Sequence, residues 1–392
     1  MNRYSATFPK KLSYLCLLVA FCFGAFLFDP TNRPLKYTLL GIAFLSTISS
    51  LTQQGFSSSF KSYSQFIFPW LPWFFCVFVV IAVHGGENFY FDSFLILSLL
   101  FFSLRDITIK RNWVNCAIAV TGALVSFAVI WEVINLKHLP AEIYQVNKNV
   151  LMSGVSLLMT CSIASLLFDF RRNPVAINIL LITSISASLV CIVLTEVRTA
   201  LLAILALIPL TFFYNKQNPW KYIFILFSIS LVMLALFWYT GRLQEGIADL
   251  EKFQSGNSNS SWGIRLELWK LSLDAFFSKP VFGWGVQPFK EIIQSGFTFP
   301  VSTFRPRHFH SDFFNMLVCI GLVGVLGWLS TIVLLIKNSW KDPTSTAMLF
   351  ACLAMGLTER LWFQNRVSIY MMSTLWVLLY LSKSIREQTD SK

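Results

Sequence analysis

Residues 305–336 read Arg305-Pro306-Arg307-His308-Phe309-His310-Ser311-Asp312 and then FFNMLVCIGLVGVLGWLSTIVLLI, a charged octapeptide running straight into residues 313–336, which contain no Asp, Glu, Lys or Arg. A hydrocarbon core of about 30 Å takes roughly 20 apolar residues in a helix. The run is therefore a membrane span, and the octapeptide marks the boundary where water meets lipid. Leu, Ile, Val and Gly follow one another without the period-2 alternation of a membrane strand, so the span is helical.

Outward from that junction the pattern repeats. Apolar runs fall at 12–28, 35–51, 66–83, 93–104, 114–136, 150–168, 176–194, 200–214, 222–239, 313–336, 346–357 and 368–381. With 55% hydrophobic and 13% charged residues, the chain has too little polar surface to cover a soluble globule. The expected fold is all-α: a polytopic membrane protein of about 12 transmembrane helices, with 1–392 forming a single membrane domain and 240–312 inserted as one large outside loop between helices 9 and 10. The first run, preceded by Arg3, Lys10 and Lys11, resembles a signal peptide without a convincing cleavage site and is read as a retained helix.

The net charge of +12 does not point to nucleic acid, because the cations are scattered among short loops with no aromatic-basic recognition motif. They set the orientation instead. Loops on the side of the N-terminus carry most of them, including Lys61, Arg105, Lys110, Arg111, Arg171, Arg172, Lys337 and Lys341, and the positive-inside rule puts both termini in the cytoplasm and the 240–312 loop outside. All eight cysteines fall inside the apolar runs, where they are expected as packing residues without a disulfide framework.

The long loop has its own pattern. The segment starting at Gly241 has the composition of a polar amphipathic helix, and Ser255 to Ser261 is a flexible link. A helix follows over 264–277 with Leu266, Trp269, Leu273 and Phe276 as its apolar stripe. Pro280 stops it, and Val281-Phe282-Gly283-Trp284-Gly285-Val286 is a glycine turn that permits close backbone approach.

Three places outside the bilayer carry reactive side chains: Thr195 to Thr199, Trp262 to Arg265, and Arg305 to Asp312. Guanidinium groups grip phosphate oxygens in bidentate fashion and stay charged, so Arg198 and Arg265 suit a diphosphate. Arg198 equally suits an interfacial anchor or a partner for Glu196, and Arg265 a solvated helix residue paired with Glu267 or Asp249. His310 precedes Ser311 and Asp312, good N-cap residues for the next helix. The positive helix end disfavours imidazolium there and favours a ring able to accept a proton, although an interfacial histidine bonded to backbone fits the same place. His308 is a rival base farther from the helix start. Arg305 and Arg307 either extend a phosphate site or attract anionic head groups. His84 and His138 lie on other outside loops without neighbouring partners and read as structural. No Asp-x-Asp, His-x-x-x-His or Cys/His cluster is present, so neither a metal nor another cofactor is expected.

These residues resemble the O-antigen ligase and O-antigen polymerase superfamily of bacterial envelope enzymes. The likeness lies in Thr195, Arg198 and Leu202; in Gly263, Arg265, Trp269, Pro280, Gly283 and Gly285; and in His310, Ser311, Asp312, Phe313, Asn315, Gly321 and Gly324. Within it the chain is most similar to the ligases. That resemblance implies an inner-membrane glycosyltransferase of lipopolysaccharide biosynthesis with a periplasmic active site. It would move O-antigen polysaccharide from undecaprenyl diphosphate to a sugar hydroxyl of lipid A-core without a metal. It also implies that Arg198 and Arg265 bind the diphosphate and that His310 activates the acceptor. The resemblance further implies an acidic residue in the helix after the histidine, where this chain has Val318-Cys319-Ile320. The alternatives are an O-antigen polymerase of the same superfamily and, from another class, a glycolipid flippase or transporter. Against transport, the charged candidates gather on one face and no inverted repeat of broken helices is visible.

Overall fold

The computed structural model describes residues 67–85, 111–136, 148–195, 197, 199–215, 217–256, 259–285, 288–297, 308–359 and 361. Every regular element among them is a helix. After a 3-10 turn at Phe68–Trp70 come α1 (Leu71–His84), α2 (Arg111–Leu136), α3 (Lys148–Asp169), α4 (Val175–Thr195), α5 (Thr199–Leu205), α6 (Ile208–Tyr214) and α7 (Pro219–Tyr239). Then follow α8 (Arg242–Gln254), α9 (Ser261–Ser278), α10 (Pro288–Gln294), α11 (Asp312–Ser339) and α12 (Pro343–Gly356). Five of these, α2, α3, α4, α7 and α11, are long and apolar enough to cross a membrane. Eight of the twelve expected runs fall on described helices; those at 12–28, 35–51, 93–104 and 368–381 lie outside the described residues.

The run at 200–214 departs from the expected single span. Pro209 has no N–H to offer the carbonyl of Leu205, so the helix breaks at Ala206–Leu207 and resumes as α6.

Burial separates the helices by role. α3 is buried over 89% of its most apolar stretch, against 22% for α7. α7 shows Phe224, Phe227 and Trp238 outward, as a lipid-facing helix does. Around α3 the polar side chains are satisfied locally. Ser156 and Thr160 donate to carbonyls one turn back at 2.7 and 2.8 Å, and Ser126 meets Ser188 across α2 and α4 at 3.0 Å. Gly122 lets α2 approach Ser184 of α4 and Leu158 of α3, the small-residue contact that brings apolar helices close in lipid.

One end of the bundle is tied by charge. Arg111, read from the sequence as an ordinary loop cation, is drawn between two buried carboxylates, 3.1 Å from Asp169 at the end of α3 and 3.1 Å from Asp342 ahead of α12. Asp342 also caps α12 by accepting from the Ser345 amide at 3.2 Å. At this same end Tyr214 donates to the Trp340 carbonyl at 2.5 Å.

Toward the opposite end α11 is broken. Gly321 takes φ 67° and ψ −160°, a region open essentially to glycine alone. The break parts the Val318 and Cys319 carbonyls from the Leu322 and Val323 amides that would bond them in a continuous helix. The turn after α9 takes up all four groups. Trp284 and Gly285 donate to Val318 and Cys319 at 2.8 and 2.9 Å, while Leu322 and Val323 donate to Pro280 and Val281 at 2.9 and 3.3 Å. Unpaired backbone is not tolerated at an apolar depth, so the break can exist only because the turn fills it. The expected close approach at Gly283 is thus confirmed, with Val318 to Ile320 as the partner.

His84, at the end of α1, has its Nε2 3.1 Å from the Phe282 carbonyl, and a Cβ on Gly285 would sit 3.3 Å from its ring. The contact suits the structural role expected of His84, with a partner distant in sequence that local reading does not show. His138 lies outside the described residues.

A Cβ at Gly321 would lie 2.5 Å from the Val281 oxygen, whereas one at Gly256 (φ 83°) would meet nothing within 4 Å. Gly256→Ala is expected to cost only the left-handed backbone strain of about 1–2 kcal/mol. Gly321→Ala should lower the melting temperature in detergent far more or prevent folding, and equal losses would contradict the interlocked break.

Candidate active site at the start of α11

Phe309 organises the junction read first in the sequence. Its ring is fully buried among Leu268, Leu271, Ala275, Trp284 and Ile292 and stacks on Phe289 at 4.5 Å. Its amide donates to the Asn315 side chain at 3.1 Å, and its carbonyl accepts from the Trp269 indole at 3.1 Å. With one residue pinned at side chain, N–H and C=O, its two neighbours project together on the other side. The rings of His308 and His310 stand 4.1 Å apart, both half-buried. His310 has φ 50°, the only positive value at a non-glycine among the described residues. Such strain persists only where surrounding contacts enforce it.

Ser311 is the N-cap of α11, as expected, but its hydroxyl makes no capping bond. It donates to the Gly356 carbonyl at 3.4 Å, while Asn315 donates back to the Ser311 carbonyl at 2.6 Å. Asp312 is fully buried, and both its oxygens lie 3.0 Å from the Leu361 amide. The segment following α12 is thereby fastened to the start of α11.

That segment carries Glu359, which is buried and lies 3.2 Å from Nη2 of Arg265. Arg265 sits on the second turn of α9, whose start is capped by Ser260 accepting from Gly263 at 3.0 Å. One turn on, Trp269 bonds the Phe309 carbonyl and stacks on Phe314 at 5.3 Å. Arg265, Glu359, His308 and His310 thus share one end of the bundle through two short routes, Trp269 to Phe309 and Leu361 to Asp312. Glu359 is thus a partner of Arg265 that the local alternatives, Glu267 and Asp249, did not include.

The buried face of α9 lies beside the expected apolar stripe, which suits contact with the membrane or with the bundle. Leu268, Leu271, Ser272 and Ala275 are buried, whereas Leu273 is 41% exposed. The helix turns its small and aliphatic residues to the Phe309 cluster, and Trp269 lies at the rim where its N–H finds a carbonyl.

Arg198, Arg305 and Arg307 lie outside the described residues. The chain neighbours of Arg198, Val197 and Thr199, are buried. α5 and α6 run from Thr199 to Tyr214, which meets Trp340 at the far end, so Thr199 begins at the end where α11 begins.

Sequence reading missed Glu359, whose signal was a single acidic residue closing the short apolar run 346–357. It missed equally the pinning of Phe309, which depends on Trp269 at a separation of 40 residues.

Apolar helices of spanning length, with reactive side chains gathered at one end, define a multi-pass membrane protein with a polar site at the bundle's edge. Residues 182–329 match the O-antigen ligase family model, and the match supports a member of the O-antigen ligase and polymerase superfamily, in keeping with lipopolysaccharide biosynthesis. The matched stretch holds Arg265, His308, His310 and the break at Gly321 but ends before Glu359. No curated protein matches the chain.

Breaking a largely buried ion pair from one side leaves the other charge desolvated, at a cost of about 3–5 kcal/mol when burial is complete and less here, where Arg265 is 18% exposed. Arg265→Met and Glu359→Met should each lower thermal stability, and the double variant should lose less than the two together. Additive losses would show that the pair is not coupled.

Proposed function

We propose that the chain is an O-antigen ligase, transferring polysaccharide from undecaprenyl diphosphate to a sugar hydroxyl of lipid A-core. In this reading it lies in the bacterial inner membrane with both termini cytoplasmic and the site periplasmic. The observation that carries it is the placement of an imidazole pair and a carboxylate-held guanidinium at one end of an apolar bundle. There a polar head group can be handled while its polyprenyl tail stays among the helices.

In the transfer, His310 accepts the proton of the acceptor hydroxyl as that oxygen bonds to the anomeric carbon. The bond from that carbon to the diphosphate oxygen breaks, and undecaprenyl diphosphate departs with the electron pair. A single displacement of this kind inverts the anomeric centre. Arg265 and Arg198 take the charge growing on the diphosphate, the electrostatic task that gives preorganised cations their catalytic value. Glu359 fixes the orientation of the Arg265 fork, and Arg305 and Arg307 add positive potential to the diphosphate's approach. Guanidinium groups supply the charge compensation, so no metal enters the scheme.

With purified protein, lipid-linked glycan and lipid A-core, His310→Ala is expected to lose about 10²- to 10⁴-fold in turnover, and Arg265→Ala to fall comparably. Wild-type turnover in either variant would remove that residue from the mechanism. Arg198→Lys should stay impaired because an ammonium does not reproduce the bidentate grip. Transfer should persist in excess chelator; strict dependence on a divalent ion would overturn the scheme. In the native host, loss of a ligase leaves lipid-linked polymer accumulating beside bare core. Loss of a polymerase leaves single repeat units on the core, an outcome that would transfer the same chemistry to the other acceptor.

A further inference from the structure

The mechanism above uses one of two imidazoles that stand together. Their contact is built in: Phe309 between them is held by its buried ring, its amide and its carbonyl, and His310 is kept in a strained left-handed conformation that turns its ring toward His308 at 4.1 Å. Two imidazoles that close titrate as a unit, and the second proton is resisted by the first. His310 lies immediately ahead of Ser311 and the start of α11, where the helix dipole opposes a cation, and His308 lies two residues farther away.

Other charges bear on the pair: the Asp312 carboxylate lies two residues beyond His310, and Arg305 and Arg307 precede His308 in the sequence. Arg265 of α9 and Glu359 beyond α12 engage each other, and Asp312 of α11 accepts from the Leu361 amide. Glu291 of α10 pairs with Lys279 at 3.8 Å. Glu267, Lys270 and Asp274 complete the charges of α9.

We propose that His308 and His310 act as a coupled pair in which a proton on His308 resists protonation of His310 and so keeps that ring able to take the proton of the acceptor hydroxyl. His308 is then a positioning residue acting through His310. During transfer the pair carries two protons, and repulsion between the rings drives one of them back to solvent, restoring the starting state. The inference rests on the proposed role of His310 but addresses how that base stays available when the surrounding pH falls.

The sign is definite. A cation on His308 opposes protonation of His310, 4.1 Å away ring to ring. Replacing His308 by glutamine removes the opposing charge and moves the titration of His310 up. Lysine at the same position restores a cation and should move it back down.

The test is titration of the four histidines by NMR on the full chain in lipid nanodiscs with ring-labelled histidine, assigned by single His→Gln variants. His308→Gln is expected to raise the midpoint of His310 by about one pH unit, and His308→Lys to leave it near the wild-type value. The acid limb of kcat/KM for transfer, each variant normalised to its own maximum, should follow the same order. Should His308→Gln not fold, His310→Gln provides the reciprocal measurement, a raised midpoint for His308. An unmoved His310 midpoint in folded His308→Gln, or an equal rise in His308→Lys, overturns the pair. Coupled midpoints in a protein without transferase activity would uphold the pair and refute the proposed function instead.

Discussion

Four backbone hydrogen bonds between the turn at Pro280–Gly285 and the gap in α11 hold the molecule in its observed form. A spanning helix ordinarily satisfies its own amides and carbonyls, and lipid offers no substitute when it fails to do so. Here a connection between helices completes a helix. The interruption of the helix and the shape of the turn therefore depend on each other. α9 precedes the turn directly, so the same contact fixes α9 along the first half of α11. Arg265 and Trp269 are thereby carried to the level of Phe309.

The site inherits its order from that arrangement. Its residues come from three places far apart in the chain: the second turn of α9, the start of α11, and the segment after α12. None is held by its own helix alone. Trp269 holds the Phe309 carbonyl, Asp312 holds the Leu361 amide, and Glu359 holds Arg265. Buried polar groups of this kind stabilise only when their partners are in place, so the candidate site residues are held by partners drawn from other segments of the chain.

Much of this was legible in the sequence, for identifiable reasons. Apolar runs gave α2, α3, α4, α7 and α11 to within a few residues because length and hydropathy are local properties. Gly283 and Gly285 announced a close approach because glycine has few other uses beside a helix-stopping proline. What escaped was non-local. The partner of Arg265 lies 94 residues away, and His84 meets a carbonyl 198 residues on. Gly321 lies within a run too apolar to suggest a break, since the groups that make the break tolerable belong to another segment. Pro209, by contrast, could have been read as a helix break from chemistry alone.

The ionic knot of Arg111, Asp169 and Asp342 has a mechanical meaning. Charges removed from water together cannot slide past one another without each being stranded, so the ends of α2, α3 and α12 that it joins behave as a clamp. The opposite end, where α11 is interrupted, is tied by Arg265 to Glu359, by Asp312 to the Leu361 amide and by the backbone bonds across the break. The two ends are thus fastened by different chemistry, ionic at one and mainly backbone hydrogen bonding at the other.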